Sequence, residues 1–208
     1  EHIPFILNRM LTISLPTTLV ASMFYYAYYI FTDVNTIIDF GWSFNHWLIG
    51  SILYLKHINA VNSASWAILT LWAGRLAGML FEERVAKGKS DPRYDMLADK
   101  YAPNHHKLFF LIQFLSQASL VVFTAIPLYY VFTSDNKFTL PHAFGMILTL
   151  SGITLSGIAD MQLREFKKEQ SMRVNPSGMC KIGMWSKSRH PNLFFECVTW
   201  FGFALMGY

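Results

Sequence analysis

The chain has 208 residues, of which 53% are hydrophobic and 16% aromatic against only 14% charged, whereas soluble domains carry about 25% charged residues. Its 18 Phe, 10 Tyr and 6 Trp exceed what a core of this size can hide, since a chain of about 200 residues buries only roughly 70% of its unfolded surface. A bilayer is the solvent that fits this composition. Two cysteines, Cys180 and Cys197, exclude a disulfide framework and a multi-cysteine zinc module, and a net charge of only +4 excludes a nucleic-acid-binding excess of bases.

Runs long enough to cross about 30 Å of hydrocarbon, at roughly 20 residues each, fall at 11–32, 37–55, 61–82, 108–131, 142–163 and 191–208. They predict an all-α, polytopic transmembrane helical bundle of about six spans. With no internal repeat or low-complexity stretch, 1–208 reads as a single membrane domain. Two long polar loops are expected, at 83–107 and 164–190. The last span opens on Pro191, a residue suited to the first turn of a helix, and is expected to be cut short at Tyr208. The start on Glu1 rather than Met points to an upstream segment that was removed.

Lys and Arg in short loops are retained on the side from which a chain inserts. Alternating the six spans puts both long loops on one face, with 13 of the 17 Lys and Arg, while Arg9, Lys56 and Lys137 fall on the other and Arg75 inside a span. The loops at 83–107 and 164–190 are therefore expected to lie together.

Ionised side chains in hydrocarbon cost about 2.5–3.5 kcal/mol each on insertion scales, so they face a cavity or a partner. Here Asp39 opens the second span, Arg75 lies about two turns inside the end of the third, Asp160 and Gln162 close the fifth, and Arg189, His190, Asn192 and Glu196 open the sixth. All occupy the half of the membrane next to the basic loops, an arrangement that predicts a polar cavity, with Arg75 meeting Asp39 or Asp160. His46 reads instead as a buried, hydrogen-bonded histidine.

The strongest local signal is Ser188-Arg189-His190-Pro191-Asn192, where a basic loop enters a helix. A helix start offers unpaired N–H groups and roughly half a positive charge. Arg189 adds a planar fork that matches phosphate oxygens, and His190 and Asn192 add donors. Interfacial anchoring to lipid phosphate is the simpler reading of Arg189 and His190. Asp91-Pro92-Arg93-Tyr94 reads as a turn, its Arg93 facing a carboxylate or a second phosphate, or else forming a local ion pair with Asp91. His105-His106 lacks a third ligand nearby, so no metal site is expected.

From Ser188 to Glu196 the chain resembles the Ser-Arg-His-Pro-Asn-Tyr-Phe-Gly-Glu signature of the steroid 5-alpha-reductase-like membrane family, in its branch with a domain of unknown function. Asp39 with Trp42, Trp72 with Arg75, Asp91 with Arg93 and Tyr94, Gln117, Pro127, Asp160 with Gln162 and Phe166 with Lys167 agree in order and spacing, as do Gly183, Trp185, Trp200 and Gly202. The similarity runs from about residue 37 onward. It implies an adenosine-bearing cofactor in the loop-side half of the bundle: NADPH as in the reductases, or S-adenosylmethionine as in related methyltransferases. The implied cofactor-binding set is Arg189, His190, Asn192, Glu196, Asp160, Gln162, Arg93 and Tyr94, with Asp39 and Arg75 shaping the cavity. Two departures stand out, Leu193 at the family's Tyr and Phe195 at its Gly. The family's catalytic Tyr and Glu have no counterpart here, so no catalytic residue is assigned.

Three functions follow as expectations. The first is an NADPH-dependent lipid or steroid reductase acting on an apolar substrate from the bilayer. The second is a non-catalytic accessory subunit, bound to other protein subunits of a membrane assembly such as a respiratory complex and holding no cofactor. The third is an S-adenosylmethionine-dependent methyltransferase. An integral protein of the endoplasmic reticulum or the mitochondrial inner membrane is compatible with each.

Overall fold

The computed structural model describes residues 2–133, 138–172 and 178–208. Every regular element among them is helical. The chain divides into two compact units, Glu1–Asn136 and Lys137–Tyr208, where the sequence reads as one domain. Arg173 and Lys137, both counted in the charge asymmetry, lie outside the described residues.

In the N-terminal unit, α1 (His2–Arg9) runs through a π-helical turn (Met10–Ser14) into α2 (Leu15–Thr32), and α3 (Ile37–Lys56) follows a tight connection. α4 (Ala60–Leu80) ends in a second π-helical turn (Phe81–Val85); α5 (Pro92–Tyr101), α6 (His106–Thr124) and α7 (Ile126–Thr133) complete the unit. α3 packs against α2, α4, α6 and α7. Its inward residues Ile38, Gly41, Asn45, Ile49 and Leu53 recur at helical spacing, and all are buried. Gly41 lets the Tyr25 ring lie where a β-carbon would sit, 2.7 Å away, and the Tyr25 hydroxyl donates to Asn45 Oδ1 at 3.1 Å. His46 is fully buried, with Nδ1 2.7 Å from the Trp42 carbonyl and Nε2 2.9 Å from Thr124 Oγ1. It is the hydrogen-bonded histidine that the sequence leads one to expect.

The C-terminal unit is a helical hairpin of α8 (Leu140–Ser171), a 3-10 turn (Gly183–Ser186) and α9 (Pro191–Met206). The two helices run antiparallel and meet backbone to backbone. A β-carbon on Gly202 would lie 2.8 Å from the Gly145 carbonyl and 2.7 Å from the Thr149 amide, and one on Gly152 would lie 2.8 Å from the Phe195 carbonyl. Small residues at this spacing let membrane helices approach closely without side-chain entropy to lose. His142 Nδ1 closes the far end, 2.9 Å from the Met206 carbonyl.

Among the described residues, four helices are long and apolar enough to cross a membrane: Pro4–Thr32, Ala60–Val85, His106–Thr124 and Leu140–Ser171. The second and sixth of the apolar runs form α3, of 20 residues, and α9, of 16; neither is among the four.

Three expectations about the elements are corrected. The run at 108–131 is not one helix, because Pro127 has no N–H to continue the ladder, and the chain turns at Ala125 before α7 restarts with Leu128 N–H bonded to the Ala125 carbonyl at 2.9 Å. The stretch at 83–107 is not all loop. Asp91 accepts the Arg93 backbone N–H at 3.0 Å as an N-cap, Pro92 takes the first helical position, and α5 follows. Nor does the fifth span give way to loop at 164: α8 continues to Ser171, its added turns carrying Lys167, Lys168 and Gln170.

Candidate functional site

Past its apolar run, α8 presents Leu163, Phe166, Lys167 and Gln170 at i, i+3, i+4 and i+7 on one face. That face walls an open cavity of about 530 Å³ in the C-terminal unit, lined on the loop side by Trp185, Arg189 and His190. The His190 ring stands edge-on to Trp185, centroids 6.4 Å apart. Arg189 and Lys167 are exposed and make no ion pair with any described residue. Gln170 Oε1 is buried and accepts no hydrogen bond. The cavity thus has an apolar floor, two cations and one unsatisfied acceptor, and its volume falls in the usual range for small-molecule sites, about 300–1,000 Å³.

Other residues singled out in the sequence build the frame of this cavity rather than its lining. Asn192 Nδ2 donates to Asp160 Oδ1 at 3.0 Å, tying the first turn of α9 to α8, and Asn192 Oδ1 is buried without a partner. Gln162 Oε1 accepts the Met184 N–H at 3.0 Å. Its side chain covers Gly183, whose φ of +54° belongs to glycine, and a β-carbon there would lie 2.4 Å from Gln162 Nε2. Trp185 Nε1 donates to the Ala159 carbonyl at 2.9 Å, which fixes the indole at the cavity wall. Glu196 is half-buried one turn further along α9, and the Leu193 side chain is exposed. α9 starts without a side-chain cap, so its first N–H groups are left to solvent or a ligand.

Arg93, Tyr94 and Asp39 belong to the N-terminal unit and meet there. Arg93 makes a two-point ion pair with Asp91, Nη2 to Oδ2 at 2.6 Å and Nε to Oδ1 at 3.0 Å, so the local pair among the sequence readings is formed. These bonds hold the Asp91 carboxyl down at about 2 and raise the Arg93 guanidinium above its ordinary value. The Tyr94 hydroxyl donates to Asp39 Oδ1 at 3.2 Å, and burial, reinforced by the Asp39 charge, pushes its ionisation up to about 12. The guanidinium that reaches Asp39 Oδ2 is that of Arg84, not Arg75. The π-helical turn at Phe81–Val85 inserts one residue into the end of α4, its Ala86 N–H bonding the Phe81 carbonyl at 2.8 Å, and so brings Arg84 round to Asp39 and within 3.6 Å of Asp91. Arg75 is half-buried further back on α4.

His106 Nε2 lies 3.0 Å from Asp99 Oδ1, and no group of three or more His, Cys, Asp or Glu among the described residues is placed to hold a metal ion. Lys167, Gln170 and Trp185 line the cavity but were not assigned to the site from sequence. The signal available was the 3.6-residue period, which continues past the end of the apolar run.

Helices and cavity together define an all-helical integral membrane protein with a cation-rimmed cavity at one end of a helical hairpin. The chain belongs to the family described as protein of unknown function DUF1295, whose model matches residues 25–208 and so runs across both units. No curated protein and no solved structure matches it.

Proposed function

We propose that this protein is a six-span membrane reductase that holds NADPH at the loop end of the α8–α9 hairpin and acts on an apolar substrate drawn from the bilayer. The observation that carries the reading is the cavity in which Arg189, His190 and Lys167 surround an apolar floor. The residues fit the cofactor's chemistry. Arg189 and Lys167 offer charge to its phosphates, the uncapped start of α9 offers N–H groups, Trp185 offers a flat apolar face, and the unsatisfied Gln170 Oε1 offers an acceptor for an amide or hydroxyl. When bound, NADPH supplies a hydride; the protein's own part, in this reading, is to hold it and exclude water. Asp160, Gln162 and Asn192 serve by keeping the cavity walls in register.

Calorimetry on the folded chain in nanodiscs tests this. NADPH should bind, NADH more weakly, and Arg189→Ala should cost about 1.5–3 kcal/mol, the loss of a charged hydrogen bond. Heat with S-adenosylmethionine and none with NADPH would turn the reading to methyl transfer.

One observation favours the accessory-subunit reading. Leu193, at the position where the resembling family has a tyrosine, is 57% exposed, so an aromatic hydroxyl is missing from the start of α9 and an apolar side chain stands out in its place. If none of the three compounds gives heat, and mild-detergent purification brings down stoichiometric partners, that reading replaces the first.

A further inference from the structure

α5 is an amphipathic helix with its charges sorted. Tyr94 and Ala98 pack inward against a cluster that includes Val85, Ile37, Ile38 and Phe110, all at or near the loop-side ends of helices. Its two flanking acids are exposed: Asp95 Oδ1 accepts from Asn35 Nδ2 at 2.8 Å, and Asp99 Oδ1 lies 3.0 Å from His106 Nε2. Asp91, which caps the helix, is held by Arg93 and Arg84. Apart from these acids and Arg93, the outward face is one stripe in which Met96, Leu97 and Tyr101 are 63%, 42% and 66% exposed, with Lys100 between them, its Nζ over the Tyr101 ring at 5.0 Å. Lys87, Lys89 and Lys107, on either side of the helix, are likewise exposed, and neither they nor Lys100 make an ion pair with a described residue.

An apolar stripe flanked by uncompensated lysines, fixed at the ends of membrane helices, is the pattern of a helix lying in the headgroup boundary. We propose that α5 is an interfacial platform that sinks Met96, Leu97 and the Tyr101 ring into the edge of the bilayer while Lys87, Lys89, Lys100 and Lys107 bind anionic phospholipid headgroups. The occupant follows from charge: the four exposed lysines that make no ion pair with a described residue, Lys87, Lys89, Lys100 and Lys107, outnumber the two exposed acids, Asp95 and Asp99, so the partner is anionic, and the apolar stripe beside them suits acyl chains. Tyrosine at this depth is favoured, with its ring in the boundary and its hydroxyl in water.

The test uses the full chain in nanodiscs of phosphatidylcholine with phosphatidylglycerol at about one part in three. Lipids retained by the protein, read by native mass spectrometry, should be enriched in phosphatidylglycerol. The combined change Lys87→Gln, Lys89→Gln, Lys100→Gln and Lys107→Gln should bring the retained lipid back towards the bulk ratio, with helical content unchanged because none of the four makes an ion pair with a described residue. Unchanged enrichment overturns the proposal. A second measurement places a photo-crosslinking side chain at Met96 in native membranes. A lipid adduct supports the proposal; a crosslink to another protein chain, or none, overturns it.

Discussion

Asn192 on the first turn of α9 and Asp160 on α8 are joined by a 3.0 Å hydrogen bond, so a residue of the Arg-His-Pro-Asn motif is spent on holding two helices together beside the cavity. Asn192→Ala should therefore lower stability by about 0.5–2 kcal/mol. A double-mutant cycle with Asp160→Ala, read from unfolding midpoints in detergent, should return a coupling of that order. An unchanged midpoint would show that the pair does not act through the fold.

The backbone contact between α8 and α9 predicts a sharp contrast among glycines. Gly202→Ala and Gly152→Ala each place a methyl group against backbone atoms 2.7–2.8 Å away, which forces the helices apart at about 1–3 kcal/mol. Gly74→Ala on α4 meets nothing within 4 Å and should be neutral or slightly stabilising, within about 1 kcal/mol. Thermal unfolding of the three variants side by side checks this.

The Asp91–Arg93 pair sets an acid dependence. In the unfolded chain Asp91 titrates near 3.9, while in the fold the Arg93 hydrogen bonds hold it at about 2. A depressed carboxylate stabilises the fold fully above the unfolded value and loses that contribution as pH falls through the folded one. Asp91→Asn keeps the cap acceptor for the Arg93 N–H but removes the charge. The variant should be less stable than the parent at pH 7, with the gap closing between about pH 4 and pH 2. A gap constant across that window would contradict the assignment.

His46 is held from both sides. The Trp42 carbonyl can only accept, so Nδ1 carries the proton, and in the neutral ring Nε2 accepts the Thr124 hydroxyl at 2.9 Å. Thr124→Val removes that hydrogen bond and should cost about 0.5–1.5 kcal/mol. Thr124→Ser, which keeps the hydroxyl, should restore most of the loss in the same unfolding assay.

How much could be read in advance depended on which residues carried a local signal. Apolar runs at helix length announced an all-α membrane protein, Pro191 announced the start of α9, and the common address of Asp160 and Asn192 proved to be a direct bond. Asp91 followed by Pro92 is itself a helix-start signal, yet the polarity of 83–107 made it read as loop. The extension of α8 was hidden similarly: hydropathy stops at Leu163, but Phe166, Lys167 and Gln170 keep the helical period. The Arg84–Asp39 contact had no signal in the sequence, because it depends on one extra residue in a π-helical turn, and nothing in Phe-Glu-Glu-Arg-Val marks that turn.

The glycine contact that joins α8 to α9 also determines how the cavity can respond to an occupant. Where two helices touch through main-chain atoms and the short side chains of Thr149 and Thr199, little rotamer freedom lies between them to absorb a displacement, so the pair behaves as a stiff beam. Leu163, Phe166, Lys167 and Gln170 are fixed to one member of that beam, and Asn192 fixes the start of the other. With the Trp185 indole held by the Ala159 carbonyl, adjustment to a guest is left to the exposed side chains of Arg189 and His190.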